Sequence, residues 1–366
     1  VLVIVAIGAV YVADQVSAIP GNDDWTIKLA EWGRDHNLGI VVTTAENLQY
    51  RLHPPTVGGI PNTAALRQDL TSGSNPFAAV HAPMTSPAGT ALAGEGVFTP
   101  AGNGPGRYLI QTTMVRPDAV HTSYLTGVAW MSHKLLYTLH PGYQEPGAKG
   151  WTLPDFITPR QERGLQSTFN SGFKLKDAEG GFYDHGKYAA PLVNGAASMV
   201  IYTDGHAVVG TWGKDVSMTP QVAWVRQNLK LLIQDGQIAA NIDSKVQSNW
   251  GATVGGDLAV WRSGIGVTNA GDLVYAAGDA MTVSALADVL KRAGAVQAMQ
   301  LDINKAWVSY MTYTKSGGRL LPKKLVNFQR PADRYLVPAN RDFFAAYAPT
   351  KTNASGATPS ATNSAG

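Results

Sequence analysis

The chain holds 366 residues, 45% of them apolar, with nine tryptophans and a formal charge of +3 from 29 basic and 26 acidic residues. Apolar content at that level supports a sizeable core, while the lack of any dense Lys/Arg run excludes a nucleic-acid surface. Cysteine is absent, so disulfides, thiolate nucleophiles and Cys-ligated zinc are excluded too.

Residues 1–13, VLVIVAIGAVYVA, are uninterrupted apolar sequence, shorter than the roughly 20 residues of a full bilayer span. They read as the remnant of a membrane anchor or signal segment, here bounded at 1–18, with the rest of the chain outside the cytoplasm. Asn22 to Gly39 carries helix punctuation: an Asn cap, two acids, Trp25, Leu29 and Trp32 on one face, and a closing Asn-Leu-Gly. GIVVTT (Gly39–Thr44) reads as a strand. His53 to Gly106 is a Pro/Gly/Ser-rich linker with one short helix at Asn62–Leu70. This makes 19–106 an N-terminal extension and 107–349 the main domain. The tail 350–366 is of low complexity and reads as disordered.

From Tyr108 onward short strands alternate with turns: YLIQTTMV, SYLTGVAWM, AASMVIYT and HAVVGTW, with a hairpin turn at Thr203-Asp204-Gly205-His206. Two helices are expected among them. In TPQVAWVRQNLKLLIQDG, Thr219 caps, Pro220 takes the first position, and Val222, Val225, Leu229 and Leu232 line one face. In TVSALADVLKRAG, Thr282 caps and Gly294 closes, and the strand-like AMQLD (Ala298–Asp302) follows. The fold class is therefore α+β, a sheet-rich main domain with a few packed helices.

The densest polar stretch is Ser167 to Gly186, STFNSGFKLKDAEGGFYDHG. It sets Asn170, Lys174, Asp177 and His185 among Phe169, Phe173, Phe182 and Tyr183, as a binding rim mounted on a packed element would. A solvated surface turn is the plainer account of the same residues. His121, His133 and His140 stand too far apart for a short metal motif. Asp243, Asp257 and Asp302 have no metal-ligand spacing, and no glycine-rich strand–turn–helix fingerprint points to a nucleotide. No cofactor and no metal are expected.

Three stretches, in this order, resemble the phosphodiester glycosidase family. FNSGF (Phe169–Phe173) is close to its Asn-Gly-Gly-Phe-Phe signature, and WRSGIGVTNAGDLVYAAGD (Trp261–Asp279) is similar to its Arg-Thr-Ala-Ile-Gly hairpin. QLDINKAW (Gln300–Trp307) stands where the family carries Asn-Leu-Asp-Gly-Gly-Gly-Ser. The likeness extends over about Tyr108 to Tyr347 and is nearest to a membrane-tethered actinobacterial branch. Two departures stand out: Ser171 replaces a glycine, and Ile303-Asn304-Lys305-Ala306 replaces the triglycine turn, removing backbone freedom but adding a cation.

The resemblance implies a hydrolase that cleaves the bond between an anomeric carbon and a phosphodiester oxygen in a cell-envelope or extracellular glycan. The leaving phosphate monoester has a second pKa of about 6, so charge management matters more than a strong general acid. On this basis Asp302 is the expected catalytic carboxylate, Arg262 the phosphate ligand and Asn170 the orienting amide, all three converging on one cleft. Lys174, Asp177, His185 and Lys305 are expected to bind substrate. The alternative is a non-catalytic polysaccharide-binding or envelope-structural protein that keeps the fold.

Overall fold

The computed structural model describes residues 2–67, 81–147, 150–244, 246–251 and 259–349. The expected tail, Asp257 and residues 68–80 of the linker fall outside these. Helix α1 (Leu2–Ser17) has 16 residues, a rise of about 24 Å against a hydrocarbon core of about 30 Å. No helix among the described residues is long and apolar enough to cross a membrane, so the expected transmembrane segment finds no support.

Helix α2 (Trp25–Asp35) follows, then α3 (Gly39–Leu52) and the single turn α4 (Ala64–Arg67). The strand expected at Gly39–Thr44 is thus the start of a helix. Its β-branched run fits because α3 packs on α2, with Val42 so near Gly33 that a Cβ there would lie 3.1 Å from it. At Val42 such packing overrides the weak helix propensity of a β-branched side chain.

Three antiparallel sheets make up most of the remainder. The first, in spatial order, is β1 (Thr99–Pro100), β2 (Ile110–Val115), β3 (Thr126–Met131), β14 (Leu273–Met281), β13 (Val260–Thr268), β15 (Ala295–Gln300), β11 (Leu231–Gln234) and β12 (Gln237–Ile238). The second is β7 (Lys187–Ala190), β6 (Phe182–Asp184), β10 (Val222–Gln227), β8 (Ala197–Tyr202) and β9 (Ala207–Thr211). The third is β17 (Arg319–Lys324), β16 (Tyr310–Ser316), β5 (Leu165–Asn170), β18 (Phe343–Tyr347) and β4 (Leu136–His140). All three contribute to one core, through Ile110, Ile265 and Met299, Phe182 and Met199, and Phe169 and Phe344. Strand β1 pairs with β2 ahead of Arg107, and Met84 and Phe98 are buried with Val115 and Val128.

A 3₁₀ helix (Gly104–Leu109), the single turn α5 (Gln247–Trp250) and the helix α6 (Val283–Arg292) complete the described elements. Helix α6 forms as expected: the Thr282 hydroxyl accepts from the Ala285 N–H, and Leu286, Val289 and Leu290 are buried. It lies on the outer face of the first sheet over Gly264, where a Cβ would stand 3.0 Å from Leu290. The helix expected over residues 219–236 is instead the strand pair β10 and β11. Strand β10 is buried at all six positions, and a strand buried on both faces loses its period-2 signature. Leu229, at φ 54°, turns the chain between the two strands, a conformation no helix interior contains.

Candidate active site

Strand β5 is buried along its whole length and ends on Asn170. The Asn170 Oδ1 accepts from the Tyr275 hydroxyl at 2.8 Å and from the Ser309 N–H at 3.0 Å. Its Nδ2 donates to the Ser171 carbonyl at 2.8 Å and to Ser263 Oγ at 3.0 Å. Two acceptor and two donor sites are all that an amide has, so Asn170 is a satisfied brace. What it braces is Ser263, whose Oγ accepts from the Asp302 N–H at 3.1 Å and donates to the Asp302 carbonyl at 3.2 Å. One hydroxyl thus joins two of the three residues expected to converge.

Asp302 stands two residues past the end of β15 and is 4% exposed. Its Oδ1 accepts from the Ile303 N–H at 2.7 Å and from the Asn304 N–H at 2.9 Å, a local turn of the kind Asp side chains form. Its Oδ2 faces Arg341, 3.7 Å from Nη2. Burial pushes the Asp302 carboxyl up to about 6, although Arg341, the two backbone N–H groups and Arg226 all pull the other way. Desolvation therefore outweighs every favourable contact here. A carboxylate that exchanges a proton near neutrality, with one oxygen fixed and the other facing a cation, can take a proton from water or balance a cationic centre.

Arg262 does not join them. It is fully buried, its Nε donates to the Met281 carbonyl at 2.8 Å, and its Nη1 donates to Gln300 Oε1 at 2.8 Å. Successive side chains on a strand point to opposite faces. Arg262 shares parity with Gly264, which lies against Leu286 and Leu290 of α6, whereas Ser263 shares parity with Ile265 of the inter-sheet core. The expected convergence of Arg262 with Asn170 and Asp302 is corrected on this ground: its guanidinium lies on the α6 face of the sheet.

The cations beside Asp302 come from residues that sequence reasoning passed over. Arg226, 1% exposed, donates from Nε to Asp342 Oδ2 at 2.7 Å and also to the Phe173 carbonyl. Asn228 donates to the Gln300 and Leu301 carbonyls, each at 2.9 Å, and accepts from the Phe173 N–H at 3.1 Å. Together they seat the Gly172–Phe173 loop against the end of β15. Arg341 donates to the Gly172 carbonyl at 2.8 Å, and its guanidinium lies 4.7 Å from the centre of the Trp307 ring. Arg330 lies 4.2 Å from the same ring. No short-range pattern predicts this cluster, because it assembles around Trp307 from segments that are separate in sequence.

Of the expected substrate-binding residues, Lys305 donates to Gln49 Oε1 of α3 at 3.0 Å. Lys174 is half-buried, close enough to Glu31 of α2 to act on its charge. Asp177 is exposed in the turn after Lys174. His185 is held at 2.7 Å by Asp184 and stands edge-on to Trp224, in the second sheet. The structure brings Lys174 and Lys305 against the N-terminal helices and leaves Asp177 and His185 among their own neighbours. Among the described residues no group of three or more His, Asp or Glu side chains is placed to hold a metal ion.

A family model described as phosphodiester glycosidase matches residues 163–302, from just before β5 to Asp302 itself, a narrower span than the expected 108–347. No curated protein sequence matches the chain. Among solved structures, a zebrafish N-acetylglucosamine-1-phosphodiester alpha-N-acetylglucosaminidase catalytic domain, described as auto-inhibited by its pro-peptide, is 14% identical. That match covers 81% of this chain and 96% of the other, with a TM-score of 0.44. A hypothetical protein from Synechocystis is 11% identical over 66% of this chain and 62% of its own, with a TM-score of 0.38. The stretch that carries Asn170, Ser263 and Asp302 is therefore similar to phosphodiester glycosidases.

Proposed function

We propose that the protein is a hydrolase of glycosyl phosphodiesters and that Asp302 is its reacting carboxylate. The observation that carries this is the state of Asp302: buried, raised to about 6, and facing Arg341 across 3.7 Å. In the reaction the bond from the anomeric carbon to the phosphodiester oxygen breaks, and its electron pair leaves with the phosphate monoester. Water supplies the hydroxyl to the anomeric carbon, and the proton it loses passes to the Asp302 carboxylate. Guanidinium groups near Asp302 offset the charge gathering on the leaving phosphate. Asn170 and Ser263 act as positioning residues, fixing where β15 ends and hence where the carboxylate stands. The substrate on this reading is a glycan of the cell envelope or extracellular space, with the protein outside the cytoplasm.

A second reading is non-catalytic glycan binding. Two observations favour it: among the described residues Asn170 and Asp302 are each only 4% exposed, and a cleft of about 580 Å³ is lined by other residues. That cleft is lined by Thr112, Thr312 and Thr314 with Arg107, Lys315 and Lys323, a size and chemistry suited to an acidic sugar. Incubation of the protein with a panel of sugar-1-phosphodiesters, followed by detection of free sugar, separates the two. Release of sugar from at least one member supports the hydrolase. Binding of glycans without release from any member supports the second reading.

A further inference from the structure

The core shared by the first and third sheets turns polar at one end, where strand register calls for apolar side chains. On β16, Thr312 and Thr314 share parity with Tyr310, and on β2, Thr112 and Met114 share parity with Ile110. Tyr310 and Ile110 both belong to the shared core. Opposite Thr312 stands Lys323 of β17. Because side chains alternate along a strand, the core-facing rows of both sheets run out of the apolar interior into threonines and a lysine. Polar groups at core-facing positions cost stability unless something polar meets them. Here they line the cleft of about 580 Å³.

The walls of that cleft are fixed. One is the 3₁₀ helix at Gly104–Leu109, where the Gly106 N–H donates to the Asn103 carbonyl and the Gly102 N–H to the Arg107 carbonyl, each at 3.0 Å. A Cβ on Gly102 would lie 2.4 Å from the Gly106 carbonyl oxygen, so only glycine lets the chain close this tightly. Gln166 of β5 accepts from the Asn103 N–H at 2.5 Å and ties this wall to the third sheet. The other wall is the chain leaving β17. Its Leu325 N–H donates to the Tyr310 carbonyl at 3.0 Å, and a Cβ on Gly127 of β3 would stand 2.5 Å from Leu325.

Every charged residue among those that line the cleft is basic: Arg107, Lys315, Lys323 and Lys324. Lys324 gives its ammonium to the Phe328 carbonyl at 2.7 Å, and among the described residues neither Arg107 nor Lys315 has an ion-pair partner. The Thr112 and Thr314 hydroxyls have no hydrogen-bond partner among the described residues either. Carboxylates would face the cations, and sugar hydroxyls would exchange hydrogen bonds with the threonines. No aromatic residue lines the cleft, which leaves a nucleobase no ring to stack on. Thr312, opposite Lys323, stands three residues from Lys315 on β16, about 10 Å along the strand. Charges repeated along a chain match that spread better than one compact anion does.

We propose that this cleft binds a uronate-bearing polysaccharide, at a site separate from Asp302 and independent of turnover. Neither Asn170, Ser263 nor Asp302 lines it. The proposal rests on the glycan-binding reading for the ligand's being a glycan, and deepens it by naming the acidic class. If the protein is also a hydrolase, the cleft holds the polymer while Asp302 acts elsewhere on it.

The test uses the full chain and an oligogalacturonate, titrated by calorimetry beside a neutral oligogalactose of the same length and inorganic phosphate. The acidic oligomer is expected to bind about tenfold more tightly than either, the scale of two solvent-facing ion pairs. A Lys315→Gln, Lys323→Gln double variant, changed at two exposed positions, is expected to lose that margin. Lys230→Gln with Arg319→Gln removes the same charge at exposed positions outside the cleft and is expected to keep it. Thr314→Trp, which fills the cleft without touching a charge, is expected to weaken the acidic oligomer too. Equal loss in the two double variants overturns the proposal by reducing binding to overall charge, as does undiminished binding by Thr314→Trp. Phosphate that binds as tightly as the acidic oligomer also overturns it, since the cleft would then be a small-anion site. If both oligomers bind alike, glycan binding stands and the acidic class falls. Preference for the acidic oligomer without sugar release from the phosphodiester panel removes the hydrolase and leaves the cleft.

Discussion

Arg262 and Ser263 are neighbours on one strand, yet they serve opposite faces of the first sheet. Ser263 ties Asn170 to the end of β15 and so to Asp302. Arg262 turns the other way and ties β14 to β15 through Met281 and Gln300. The residue with the more suggestive chemistry faces the α6 side of the sheet, and the plain serine beside it holds Asn170 and Asp302 together. Strand parity, rather than residue type, decides which member of a motif faces the chemistry.

The largest effect on stability that this contrast predicts is at Arg262. Arg262→Met leaves the Met281 carbonyl and the Gln300 amide oxygen buried and unpaired, and is expected to lower the unfolding free energy by about 2–4 kcal/mol. Chemical denaturation measures it, and sugar release per folded molecule should be unchanged. Loss of release in a variant that keeps its stability would place Arg262 in the site after all. Ser263→Ala should do the reverse: a stability loss of about 1 kcal/mol with a fall of roughly tenfold in kcat, equivalent to 1.4 kcal/mol, and little change in KM. A larger stability loss with kcat intact would reduce Ser263 to a sheet brace.

A third effect is in pH dependence. The folded pKa of Asp302, raised to about 6, lies above the unfolded value of about 3.9. The folded protein therefore holds a proton that the unfolded chain releases between these values, and stability rests on that proton. The contribution is whole below about pH 4 and is lost as pH rises through about 6. Midpoints of thermal unfolding measured from pH 4 to pH 7 should fall more steeply for the wild type than for Asp302→Asn. Parallel curves would mean that Asp302 is not raised.

Short-range signals made much of the fold legible. Thr282 and Gly294 bracket α6 at the expected places, and the hairpin at Thr203–His206 joins β8 to β9. Reading failed where burial erased the period, as along β10, and where packing overrode propensity, as in α3. Within the site, Asp302 and Asn170 were visible through their motifs, but the partners of Asp302 were not. Arg226 and Arg341 act on it from different segments, and nothing in the order of residues announces that Trp307 gathers Arg341 and Arg330 on one ring.

The most direct test of the central claim is sugar release per folded molecule by the wild type and by Asp302→Asn, on the same sugar-1-phosphodiester panel at pH 7. The substitution keeps an oxygen for the Ile303 and Asn304 N–H groups and removes only the carboxylate. The account predicts that release falls by a hundredfold or more, which corresponds to about 2.7 kcal/mol of lost transition-state stabilisation, with the thermal midpoint nearly unchanged. Equal release per folded molecule from the two proteins would contradict it.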